Sequence, residues 1–229
     1  MSSQIVNFFS WYLLAVFFGI IAAPVSFRLL KSLPDRGYAI TKPLGILLIS
    51  YLHWLLTSLG ILKNNTSGAM IAIAIVIAIV LWRIGKDGVS IFMVWVRENV
   101  KFIILSEIIF FTAFLIMTVI RAYNPDIWGT EKPMELMFIN SISRSTIFPP
   151  QDAWLSGYSI SYYYFGYVIV ALFAGLTNTF TGIAFNLGIA LVFALAFSAA
   201  FGIVLNMIAA TRWKEKINSK KLVSIMLPA

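Results

Sequence analysis

Apolar runs of about 20 residues recur along this chain, separated by short polar loops. A helix of that length matches a hydrocarbon core about 30 Å thick. In lipid the backbone must satisfy its own hydrogen bonds, so such runs fold as helices. Spans are expected near 5–27, 44–62, 69–82, 102–120, 163–180 and 183–210, with Pro24 kinking the first near its end. The predicted fold is all-α, a polytopic transmembrane helix bundle. Composition supports it: 60% of the 229 residues are hydrophobic and 11% charged, against roughly 45–50% and 25% in soluble domains. A cleavable signal peptide is not indicated, because 5–30 is long for an h-region and no basic segment precedes it.

The net charge of +8 would suggest nucleic acid in a soluble protein. Here it is explained by the cytoplasmic bias of basic loops, and no nucleic-acid partner is expected. One such loop holds Arg28, Lys31, Arg36 and Lys42, and a second Arg83, Lys86, Arg97 and Lys101. The centre of the second, 89–96, is apolar and flanked by charge, the pattern of a helix lying in the interface. With both loops cytoplasmic, the N-terminus and the segment 121–161 lie on the external face of a cell membrane. The basic stretch 212–221 disagrees, since six crossings leave it outside as well. Either the bias is broken there, or 178–182 is a break inside a segment that crosses once. Residues 1–101 form an N-terminal three-span segment with its interfacial helix, and 102–229 begin a second unit. The final residues, 222–229, look like half of another apolar helix, so the chain is read as the N-terminal part of a longer protein. With no cysteine, thiolate chemistry and disulfides are excluded.

The long polar interruption, 121–164, carries four of the nine acidic residues. Thr130-Glu131-Lys132-Pro133 has the form of a helix start, with a Thr cap and a Pro in the opening turn. Met134, Met137, Phe138 and Ile142 follow at helical spacing, which gives a short amphipathic surface helix. Glu131 and Glu135, four apart, share one face of it. Such a pair suits a base with its orienter, or a divalent cation; equally, it is what a solvated helix face looks like. Asp126, in Asn124-Pro125-Asp126, is either a base at the membrane boundary or ordinary turn chemistry. Three tyrosines in succession, Tyr162, Tyr163 and Tyr164, point around most of a helix, which an interfacial aromatic belt does not require. Within the spans, Glu107 requires a partner from another helix, and the single His53 suits a packed helix contact. No phosphate-binding loop, dinucleotide fingerprint, zinc-binding helix or nucleophile elbow is present.

Taken together, Glu107 through Arg121, Asn124-Pro125-Asp126-Ile127-Trp128-Gly129-Thr130-Glu131-Lys132-Pro133, Pro149-Pro150-Gln151-Asp152-Ala153-Trp154 and Tyr162-Tyr163-Tyr164-Phe165-Gly166 resemble the archaeal and chloroflexal YYY membrane proteins. The resemblance covers about 107–166. Glu135, Ala153 and Ser161 stand where that family's pattern suggests Asp, Pro and Asn. YYY proteins are in turn distantly similar to GT-C glycosyltransferases, polytopic enzymes that use polyprenyl-phosphate sugar donors.

That resemblance implies a GT-C-like fold and an enzyme transferring a sugar from a polyprenyl-phosphate donor to an acceptor on the external face. Glu131 takes the catalytic position and Asp126 is second choice. Lys132, Arg144, Asp152, Trp154, Tyr162, Tyr163 and Tyr164 become substrate-binding. The implied partners are the lipid-linked donor and membrane lipid. No resident metal is assigned, a divalent cation remaining the one cofactor candidate. The competing readings are a transporter or lipid flippase, with Glu107 and His53 along its path, and a non-catalytic subunit of a membrane complex.

Overall fold

The computed structural model describes residues 2–211, apart from the side chains of Ser2, Lys86, Asp87 and Thr211. Within them the chain forms seven α-helices: α1 (Ser2–Leu29), α2 (Thr41–Ser58), α3 (Thr66–Glu98), α4 (Val100–Tyr123), α5 (Lys132–Arg144), α6 (Phe165–Thr177) and α7 (Thr181–Thr211). A 3-10 turn, Tyr38–Ile40, leads into α2. The all-α bundle expected from the apolar runs is what forms. Five helical segments among the described residues are long and apolar enough to cross a membrane: Ser3–Leu29, Tyr38–Ser58, Thr66–Gly85, Val100–Tyr123 and Thr181–Ala210.

Local sequence sets the ends of these helices. Asn65 caps α3 by accepting the Gly68 N–H at 2.8 Å, the preferred chemistry for an orphan donor at a helix start. Gly85 breaks α3 with φ 65°, a conformation a side chain disfavours. The helix resumes beyond it and runs to Glu98. This second part contains the expected interfacial segment. Its Trp95 is buried against Phe27 of α1, Tyr38 and the Phe102 end of α4.

Two helix pairs dominate the packing. α1 and α2 approach backbone to backbone at Gly45, where an added Cβ would run into the Phe18 carbonyl. Small residues at such a contact drive association in lipid, where apolar transfer supplies no force between helices. α4 lies against α7, antiparallel: Arg121 near the end of α4 bonds Asn186 near the start of α7. Between the pairs sits an aromatic core of Trp11, Phe18, Phe110, Phe114 and Phe173, all fully buried.

The bundle has two distinct ends. One carries the 30–41 connection, the second part of α3 and the end of α7, where Asn206 bonds Asp35 at 2.9 Å. It holds Arg28, Lys31, Arg36, Lys42, Arg83, Lys86, Arg97 and Lys101, and is called the basic end below. The opposite, loop end carries the α2–α3 turn, the segment 124–164 and the α6–α7 turn.

The fifth predicted span is corrected. The helix found there is 13 residues long, about 20 Å at 1.5 Å per residue, too short for a hydrocarbon core. Both its ends lie at the loop end. Tyr164, just before α6, accepts a hydrogen bond from Trp54 near the end of α2. Thr179, just after it, accepts one from Trp11 near the start of α1. α5 touches both sides of the break, with Glu135 bonded to Tyr167 and Asn140 to Thr181. Residues 178–182 are therefore a reversal between α6 and α7, and α7 alone crosses to the basic end. The conflict posed by 212–221 dissolves at the end of α7, which emerges on the basic side; that stretch itself lies outside the described residues.

Candidate functional site

The loop end is built on α5, whose buried face is Phe138, Ile139, Ser141 and Ile142. Ile142 packs with Phe148, Val168 and Ala171, which seats α5 on α6. Pro133 lies in its opening turn and Glu135 follows. Thr130, expected as the cap, does not cap. It sits at φ 53° with its hydroxyl donating to the Gly129 carbonyl, and Glu131 occupies the cap position.

The far end of α5 is held by a residue that sequence reading passed over. Asn64 donates from Nδ2 to the carbonyls of Ile142 and Ser145, at 2.7 and 2.8 Å. These are orphan acceptors of a helix end. Asn64 Oδ1 meets His53 Nε2 at 3.1 Å, and its backbone N–H donates to the Thr146 carbonyl. The buried His53 thus has the helix-contact role expected of it, with Asn64 as intermediary.

Beyond α5, residues 150–160 fold back on themselves. Asp152 N–H donates to Tyr158 O and Ile160 N–H to Pro150 O, both at 2.9 Å. Asp152 Oδ1 accepts from the backbone of Trp154 and Leu155 at 2.8 and 3.0 Å. That oxygen shapes the turn and holds Trp154 out, 67% exposed. Two clefts result. The larger, about 900 Å³, lies between α5 and 145–159 and includes Asn140, Arg144, Phe148, Gln151 and Asp152. The smaller, about 260 Å³, is lined by Met134, Phe138, Asp152, Trp154, Tyr158 and Tyr162.

The tyrosine triplet divides between two surroundings. Tyr164 turns inward, between Trp54 and Phe148. Tyr162 and Tyr163 stack at a 4.0 Å centroid distance, and the Tyr162 hydroxyl donates to that of Tyr163 at 2.7 Å. Tyr162 also lies against Phe138 of α5. Its hydroxyl pKa is pushed up to about 12, first by the bond to Tyr163, then by burial and the negative charges of Glu131 and Glu135. Tyr167, donating to Glu135 Oε1 at 3.3 Å, is raised by burial and then by that carboxylate. Both hydroxyls remain protonated donors at neutral pH.

The structure therefore brings Glu131 and Glu135 to the same side as Tyr162, with Lys132 opening α5 between them. Arg144 and Asp152 share the larger cleft, and Trp154 and Tyr162 the smaller. Asp126 is exposed on a connection pinned by Arg121, which donates to Asn186 Oδ1 at 2.8 Å, while Asn186 donates to Pro125 O at 3.2 Å. It is not among the charges acting on Tyr162. Tyr167 and Asn186 were missed by sequence reading. The only signal available for Tyr167 was its place at the end of the tyrosine run. Among the described residues no group of three or more His, Asp or Glu gathers as a metal site. Glu131 and Glu135, four residues apart, would offer a cation two carboxylates, a number that suits Mg²⁺ only when waters or substrate phosphates complete the shell.

Glu107 stands apart from this surface. Its Oε1 accepts from Lys42 Nζ at 2.6 Å and from the Tyr38 hydroxyl at 2.8 Å, near the basic end. The partner from another helix is thus Lys42, at the start of α2. His53 lies eleven residues further along α2, about 16 Å away.

Spanning helices with a polar surface of carboxylates and hydroxyls at one end define a multi-pass membrane protein. The family is also shown: a family model for uncharacterized membrane proteins, DUF2298, matches residues 48–227, and the chain belongs to that family. It is the YYY-type family to which the tyrosine run pointed. No curated protein and no solved structure matches the chain.

Proposed function

We propose that the loop end is the active surface of a GT-C-type glycosyltransferase, and that it faces the cell exterior. The observation that carries the reading is the Glu135–Tyr167 hydrogen bond between α5 and α6, next to the stacked Tyr162–Tyr163 pair, whose Tyr162 hydroxyl feels the charges of both Glu131 and Glu135. The smaller cleft reaches that group at Tyr162, and the larger lies further along α5, at Asn140 and Arg144. External placement is supported by the basic residues gathered at the opposite end.

The chemistry needs a base, a donor site and stabilisation of the departing phosphate. Glu131 takes the proton of an acceptor hydroxyl as its oxygen attacks the anomeric carbon, with Asp126 the second candidate. The bond from that carbon to the lipid-phosphate oxygen breaks, and the phosphate leaves with the electron pair. Lys132 and Arg144 offset its charge, and tyrosine hydroxyls donate to sugar or phosphate oxygens. Trp154 and the stacked Tyr162–Tyr163 pair offer flat faces for sugar rings. Asp152 contributes mainly by holding Trp154 in place, and Tyr164 by anchoring the run to α2. Should a divalent cation take part, Glu131 and Glu135 would hold it and it would neutralise donor phosphate.

The test uses full-length protein in liposomes, supplied with polyprenyl-phosphate sugars of several kinds. Glu131→Gln is expected to lower transfer by roughly 10²–10⁴-fold, the range for a positioned base. Full transfer in both Glu131→Gln and Asp126→Asn would reject the reading. One observation favours transport instead: Glu107 forms a largely buried ion pair inside the spanning region, and its Oε2 has no partner among the described residues. Loss of function in Glu107→Gln with the loop variants intact would select that alternative.

A further inference from the structure

Between α1, α2 and α3, toward the basic end, lies a groove of about 630 Å³ that the loop-end surface does not use. Its walls include Val25, Leu29, Leu48, Ile79, Val80 and Ile84, with Tyr51 of α2 also in the lining. Leu29, Tyr51 and Ile79 are exposed, so the groove opens sideways to lipid. Arg28 and Arg83 also line it. Arg28 Nη1 donates to the Arg83 backbone carbonyl, which ties the end of α1 to α3 at Arg83. Arg28 stands in the last turn of α1 and Arg83 two residues before the Gly85 break that ends the third span. Both guanidinium groups therefore sit where a span meets the headgroup layer. Neither forms an ion pair among the described residues, where Lys42–Glu107 is the pair found. From Ile84 back to Val76 the wall descends about 12 Å along α3.

We propose that this groove binds an anionic phospholipid, with the phosphate between Arg28 and Arg83 and one acyl chain lying along α3. Guanidinium forks match phosphate geometry and are weakly hydrated, which suits a site at the edge of lipid. Basic pockets between spanning helices on the cytoplasmic side are where anionic headgroups are held. The volume lies within the roughly 300–1,000 Å³ of ordinary ligand pockets. Apolar walls alone would accept any lipid, and the two arginines are what select charge. A zwitterionic lipid brings its own cation to the same place and loses part of the attraction. Inorganic phosphate lacks the chain that the walls desolvate, so it does not compete.

The experiment is native mass spectrometry of the full chain in neutral detergent. It is titrated with phosphatidylglycerol or phosphatidylcholine of identical chains, with polyprenyl phosphate and inorganic phosphate as further probes. Phosphatidylglycerol is expected to bind about 30-fold more tightly than phosphatidylcholine, from about 1 kcal/mol per cationic side chain. The double variant Arg28→Gln, Arg83→Gln should bring the two within about twofold. Arg97→Gln, an exposed change at the same end, should leave the preference intact. Equal retention by the wild type, or a preference that survives the double variant, would overturn the site. So would displacement of the lipid by inorganic phosphate, or retention of polyprenyl phosphate in place of phosphatidylglycerol. Where the double variant fails to fold, Ile79→Trp serves instead: it fills the groove, keeps both arginines and must weaken retention of both lipids. The readout is bound mass, so it is independent of any glycosyl transfer at the loop end.

Discussion

Tyr162 shows how a single hydrogen bond sets the chemistry of a half-buried group. Its hydroxyl is held at about 12 chiefly because it donates to Tyr163, against an ordinary value of about 10. A group whose pKa is higher folded than unfolded favours the fold fully below the unfolded value. That contribution fades as pH rises through the folded value. For Tyr162 the window is pH 10 to 12. In Tyr163→Phe the leading cause is removed, so Tyr162 should ionise closer to 10. Tyrosine ring-carbon NMR across that window reads the shift directly, and an unmoved Tyr162 titration would contradict the assignment. The sequence contained the triplet but not its division. Consecutive residues before a helix have no fixed facing, and it is Trp54 and Phe148 that turn Tyr164 inward.

Among the elements, α5 depends on a residue outside its own run. Asn64→Ala removes two hydrogen bonds to carbonyls at its C-terminal end and the bond to His53 Nε2. A cost of about 1–3 kcal/mol is expected. It should appear as a lower melting temperature and faster protease cleavage within 145–164, while Asn65→Ala, at the neighbouring α3 cap, spares that segment. Unaltered cleavage there would show that α5 is fixed by its apolar face alone. α5 itself was legible, because its apolar positions recur at helical spacing and Pro133 marks its start. Asn64 was not, since Lys63 to Gly68 reads as a generic turn and nothing in it points 78 residues ahead to Ile142. The same limit explains α6. Its composition is that of a span, and only Thr179 and Thr181, tied to Trp11 and Asn140, reveal that both its ends stay on one side.

At the scale of the whole molecule, the number of crossings is testable because the chain has no native cysteine. Single cysteines placed at Trp128 and Phe180, 81% and 75% exposed, should react with an impermeant maleimide from the same side of sealed vesicles. A cysteine at Lys31 should react from the other side. Labelling of Phe180→Cys together with Lys31→Cys would mean that α6 crosses after all, and would restore the six-span arrangement. Positive charge and hydropathy located five of the six spans and the two ends of the bundle. They erred at α6 because length along the sequence counts apolar residues without recording where a helix turns back.

The reversal at Asn178 also bears on how the chain is made. A 13-residue apolar helix is too short to cross a hydrocarbon core by itself. Its apolar surface then requires cover, and that cover already exists: Phe173 closes on Trp11 and Phe18 of α1, and Tyr164 on Trp54 of α2. Chains emerge N-terminus first, so each receiving surface is synthesised before the segment that docks on it. α6 is thus a helix received by surfaces made before it, and α7 completes its enclosure on arrival.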